Sequence, residues 1–187
     1  PVIVGIDHGG HTRVRELSPF RMRSRGQAGH LVRWIARDLV PQIQREFGVR
    51  RDQAGTAIGG SSMGGLAALY AHFHRPDVFG AALCMSPSLW VAKGKIFEHV
   101  ADQPRPWTTR IYIDAGAHEG QGNMLKQAER MVHHLRGRGW SDHDLRWVAD
   151  PHGRHHEHDW KRRAPHALEF LFPGTHQHGH GHHGRAA

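Results

Sequence analysis

Short apolar runs alternate along this chain with segments of helical period, and no other feature restricts its fold as much. The runs are PVIVGID (1–7), residues 54–58, AALCMS (81–86), RIYIDA (110–115) and DLRWVA (144–149). Each has the length of one strand and is apolar enough to be buried on both faces. Between them, Leu31, Ile35, Leu39, Ile43 and Phe47 fall four apart, which predicts a helix with one apolar face. Met124, Ala128, Met131 and Leu135 do the same within 121–137, and Gly137 and Gly139 stand where that helix should stop. Helices are also predicted at about 63–75, 89–100 and 158–171. Pro41 predicts a kink in the first long helix, and the Gly-, Arg- and Ser-rich residues 8–26 predict a loop. Strand-then-helix repetition of this kind implies a mostly parallel sheet with helices on both faces, a three-layer α/β sandwich.

A chain of 187 residues suits one domain with a real core. Cys84 is the lone cysteine, so packing and not disulfides must hold the fold. No apolar run approaches the length of a membrane span, and no signal peptide is visible. These features predict a cytoplasmic protein with no membrane partner. The formal charge of +8 invites a nucleic-acid partner, but the arginines are scattered among acids, as in RWIARDLVPQIQREF. No nucleic-acid-binding motif accompanies them. A solvated surface with some pull on anions is the expectation.

The stretch AIGGSSMGG (57–65) lies between a predicted strand and a predicted helix. Gly60-Ser61-Ser62-Met63-Gly64 fits G-x-S-x-G, the nucleophile elbow. Side chains flanking the central serine would clash in so tight a turn, and glycine relieves this. In this register Ser62 is the candidate nucleophile, and the other register lacks its second glycine. Ser62 would stand at a helix N-terminus, where the dipole favours developing negative charge, and the Met63 amide could face an oxyanion. A serine nucleophile needs a base and an orienting acid, which follow in the order acid, then histidine. RIYIDAGAHEG offers Asp114 and Glu119, and DPHGRHHEHDW offers His152, His155, His156 and His158. Composition does not choose among them.

The segments GSSMGGLAALYAHFHRPDVFG, SPSLW, DAGAHEG and HHEHDW together resemble the esterase family of enterochelin esterases, esterase-D type S-formylglutathione hydrolases and feruloyl esterases. The resemblance covers residues 2 to about 172. It implies an α/β-hydrolase fold and hydrolysis of small-molecule esters or thioesters through an acyl-enzyme, with no metal or organic cofactor. In that family the catalytic histidine stands five residues before a tryptophan and two before a glutamate. Here Trp160 and Glu157 select His155 and leave His156 as runner-up. The acid lies three residues after the glycine ending its strand, which selects Glu119 after Gly116 and makes Asp114 structural. Asp7, Ser86 and Trp90 are expected to border the substrate site.

One feature departs from the family pattern. Relatives begin with a strand whose D-G or H-G loop supplies a second oxyanion donor, whereas PVIVGIDHGG resembles the strand after it. HGGH (8–11) imitates a lipase oxyanion loop only superficially. The expected organisation is therefore an esterase domain at 1–172 that lacks its first strands, followed by a disordered His/Gly-rich tail at 173–187. An exposed sheet edge and self-association through it would follow. Two alternatives stand beside the esterase: a catalytically impaired hydrolase fragment, and a metal binder built on His176, His178, His180, His182, His183 and the 152–158 cluster. The latter lacks an ordered four-ligand spacing.

Overall fold

The computed structural model describes residues 1–22 and 25–174. The tail histidines from His176 onward, and the disorder expected of them, lie outside the described residues. Ahead of the sheet come α1 (Arg13–Leu17), α2 (Ala28–Trp34) and α3 (Val40–Glu46). Among the described residues the sheet has strands β1 (Ala57–Ser61), β2 (Ala81–Met85), β3 (Arg110–Gly116) and β4 (Leu145–Asp150). All pair in parallel and stand in chain order, with Ile58 opposite Ala82, Ala82 opposite Ile111, and Ile111 opposite Leu145.

Parallel strands laid down in chain order through right-handed crossovers carry their crossover helices on one face. Those helices are α4 (Met63–His74), α5 (Val91–Asp102) and α6 (Asn123–Gly137). Successive side chains of a strand point to opposite faces. Ala82, Cys84, Ile111 and Ile113 accordingly join Leu66, Leu69, Phe73, Ile96, Met131 and Leu135 of these helices in one buried cluster. Their neighbours Ala81 and Tyr112 turn the other way and meet Ala167 and Leu171 of α7 (Glu157–Leu171). The predicted sandwich with helices on both faces is present. Leu66, Leu69 and Phe73 are fully or almost fully buried, and truncating such a side chain to alanine typically costs about 2–5 kcal/mol.

Four local expectations need correction. Residues 1–7 form no strand: Val2, Ile3, Val4 and Ile6 are exposed. A β-branched run becomes a strand only where a neighbour takes its backbone hydrogen bonds, and this run pairs with no strand of the described sheet. The strand expected at 54–58 begins later, because the Asp52 side chain accepts the Gly55 N–H and closes a short turn at Gln53–Gly55. The kink expected at Pro41 is a widened π turn at Ile35–Leu39, which leaves Pro41 in the first turn of α3. Helical backbone continues from α2 through this turn into α3, so Pro41, which has no N–H to donate, directly follows the widened turn. The predicted loop at 8–26 also contains α1.

Candidate active site

The parallel topology brings the C-terminal ends of the strands to one rim, and the loops that follow β1, β2, β3 and β4 meet there. Ser62 occupies the single position between the end of β1 and the start of α4. Its backbone has φ 57° and ψ −118°, a conformation that side-chain-bearing residues rarely adopt. Two hydrogen bonds pin it to the end of β2 and the chain just after it: Ser62 N–H donates to Met85 O (2.9 Å), and Ser88 N–H donates to Ser62 O (3.0 Å). Glycine is needed at Gly60, where a Cβ would lie 2.7 Å from the Gly64 carbonyl carbon. It is needed again at Gly65, where a Cβ would lie 3.1 Å from Met85 O. A Cβ on Gly64 would meet nothing, so the second demanding flank is Gly65 and not Gly64 as the motif suggests. Met63 opens α4, so its N–H has no acceptor within the helix.

The structure brings Ser62, His155 and Glu119 together. His155 Nε2 lies 2.9 Å from Ser62 Oγ, and His155 Nδ1 lies 2.9 Å from Glu119 Oε2. A carboxylate only accepts, so Nδ1 carries the proton toward Glu119 and Nε2 of the neutral ring is free to accept from the serine. The acid and histidine loops are laced together. Ala117 N–H donates to Asp150 O, and His118 N–H donates to Gly153 O. Their backbones approach so closely that a Cβ on Gly116 would collide with the Gly153 carbonyl. His156, the runner-up, points away: it precedes α7, and its Nδ1 accepts the His158 N–H at 3.1 Å, capping the helix.

Behind Glu119 lies a buried polar network. Arg163 projects from α7 and makes ion pairs with Asp114 (3.1 Å), Asp150 (3.2 Å) and Glu119 (3.4 Å). Burial opposes the charge on Glu119, but hydrogen bonds from His155, Ser86 and the Gly116 N–H outweigh it and hold the carboxyl below its ordinary range. Burial acts unopposed enough on Asp114 to push it up to about 7, despite Arg163 and the Ser86 N–H. Removing one partner of such a buried ion pair typically costs about 3–5 kcal/mol.

Ser86, Trp90 and Asp7 are the remaining predicted residues. Ser86 is completely buried and turns its hydroxyl to Glu119 (2.7 Å), so it offers no surface to a substrate. Trp90 is 55% exposed at the start of α5. Asp7 lies in the exposed N-terminal segment. Gly9 N–H donates to the Glu16 carboxylate (2.8 Å) and Gly10 N–H to His8 O (2.9 Å), so HGGH closes a turn of its own. Among the described residues no group of three or more His, Cys, Asp or Glu is placed to hold a metal, and no helix is long and apolar enough to cross a membrane. Sequence reasoning missed Ser88, whose Oγ is 3.3 Å from Ser62 Oγ, and Arg163. A signal for Arg163 existed: it shares the inward stripe of α7 with Ala167 and Leu171, four residues apart.

A parallel sheet bearing a serine on its strand–helix turn, with helices on both faces, is the architecture of an α/β hydrolase. The family model described as Putative esterase matches residues 1–171, and the chain belongs to that family. It is 25% identical over 185 residues to "Uncharacterized protein YbbA" of Bacillus subtilis, covering 91% of this chain and 73% of that one. It is 26% identical over 155 residues to the iron(III) salmochelin esterase of Escherichia coli O6:H1, covering 74% of this chain but 36% of the relative. The BES protein of Bacillus cereus has a similar fold, with a TM-score of 0.75 at 20% identity, over 88% of this chain and 64% of that one. The chain thus spans only part of the length of these relatives.

Proposed function

We propose that the protein is a serine esterase in which Ser62 attacks a carboxylic ester or thioester, His155 acts as base and then acid, and Glu119 orients the imidazole. One observation carries this reading: the continuous chain of 2.9 Å contacts from Ser62 Oγ through His155 to Glu119, set at a helix N-terminus. His155 Nε2 takes the serine proton as the carbonyl is attacked. The Met63 N–H and the dipole of α4 stabilise the oxyanion. His155 then protonates the leaving alcohol or thiol, and water releases the acyl group from Ser62 by the same steps in reverse roles. Glu119 keeps the proton on Nδ1 and stabilises the imidazolium. A small-molecule ester is the substrate class, in keeping with the relative named for salmochelin.

A fluorophosphonate probe tests the assignment. It should label the wild type and Ser61→Ala, and leave Ser62→Ala unlabelled. On a short activated ester, His155→Ala should lower kcat by at least about 10²–10⁴-fold, the usual share of acid–base catalysis. His156→Ala should stay near wild type. Labelled Ser62→Ala, or a crippled His156→Ala beside an active His155→Ala, would retire the assignment.

A further inference from the structure

We propose that Ser86 is the positioning residue for the acid and that Trp160 makes it so, through a single hydroxyl that joins the acid loop to the helix following the catalytic histidine. The proposal rests on the serine-esterase reading above. Glu119 has two carboxylate oxygens with different partners. Oε2 faces His155 Nδ1. Oε1 takes Ser86 Oγ at 2.7 Å and Gly116 N–H at 2.8 Å, and lies 3.4 Å from Arg163 Nη2. With Oε1 saturated, the carboxylate cannot rotate, and Oε2 is left to the imidazole.

The direction of the Ser86 bond is fixed by its other partners. Trp160 Nε1 lies 3.0 Å and Arg163 Nη2 2.9 Å from the same hydroxyl. Indole and guanidinium nitrogens only donate, so both lone pairs of Ser86 Oγ are taken and its one proton must go to Glu119. Glu119 Oε1 therefore meets the Ser86 hydroxyl as a donor. The hydroxyl is aimed by its backbone. Ser86 has φ 42°, and its N–H donates to both Asp114 O (2.9 Å) and Asp114 Oδ1 (3.0 Å). Asp114 pairs in turn with Arg163.

Trp160 completes the link. Its ring stands edge to face against His155, with centroids 4.9 Å apart and planes at 86°. The same side chain thus fixes the imidazole by packing and the acid by its N–H through Ser86. Acid and base are aligned twice, once by their direct contact and once through Trp160 and Ser86. A misplacement of about 1 Å at such a site costs on the order of 10²-fold in rate.

The test uses Ser86→Ala, Trp160→Phe and the wild type. Trp160→Phe keeps a ring against His155 and deletes the N–H. Each is assayed for kcat and KM on a short activated ester, and by proton NMR for the downfield resonance of His155 Nδ1–H. We expect kcat to fall about 10–100-fold in Ser86→Ala and several-fold in Trp160→Phe. KM should stay within about twofold, and the Nδ1–H resonance should move upfield or broaden. If Ser86→Ala does not fold, Trp160→Phe decides alone. Folded variants with wild-type kcat and an unmoved Nδ1–H resonance overturn the proposal and leave the esterase reading standing. A wild type inert to both ester and fluorophosphonate overturns that reading instead, and the resonance, which needs no turnover, still decides whether Ser86 positions Glu119.

Discussion

Asp114 shows how much a single buried carboxyl can do without touching the reaction. Arg163, Glu119 and Asp150 face it, and burial pushes its pKa from 3.8 up to about 7. Such a group binds more protons folded than unfolded between those values. Its contribution to stability is complete below the unfolded value and is lost as pH rises through the folded one. His72, buried in α4, works with the opposite sign. Burial lowers it to about 4, so its contribution is lost as pH falls through that value. The two overlap, and a wild-type melting curve alone does not separate them. The difference in Tm between wild type and Asp114→Asn does: it should decline steadily from pH 4 to 7.5, since asparagine cannot titrate. A difference that is flat across that range excludes a raised Asp114.

At the scale of the element, the turn from β1 to α4 is a steric device as much as a chemical one. Gly60→Ala would place a Cβ 2.7 Å from backbone of the next turn. Overpacking of this kind typically costs about 1–3 kcal/mol, and for a chain of this size each kcal/mol lowers Tm by about 2–4 °C. Gly64→Ala meets open space and replaces glycine inside a helix, which is worth up to about 1 kcal/mol in the other direction. Thermal melts of the two variants should move oppositely, Gly60→Ala down and Gly64→Ala level or up. A Gly64→Ala drop equal to that of Gly60→Ala would refute this account of the elbow. The motif was readable from spacing, but its register against β2 was not. Gly65 is crowded by Met85 O and Pro87, residues that the sheet brings back from twenty positions away.

At the scale of the whole molecule, β1 pairs with β2 on one side and with no described strand on the other. An open edge of this kind templates further pairing, and Val2, Ile3, Val4 and Ile6 add exposed apolar surface, with Ile3 at 73%. We expect concentration-dependent association of the 187-residue chain. Light scattering should give a mass rising above 21.1 kDa with concentration, and Ile3→Lys with Val4→Lys should reduce the rise. A monomer at every concentration removes the idea. The sequence by itself determined the alternation of strands and helices, the covered sheet and the elbow at Ser62. These follow from apolar periodicity and local turn sterics, which are properties of adjacent residues. Choosing His155 and Glu119 among neighbouring histidines and carboxyls required family resemblance, because one-dimensional spacing does not say which side chain faces which. Only the tertiary structure decided that residues 1–7 stay unpaired, since a strand exists only beside another strand. It also decided that Ser86 lies behind the acid and not before a substrate, and that Arg163 is buried among three carboxylates. Those outcomes depend on contacts between residues 13 to 77 positions apart, and local sequence carries no record of such distances.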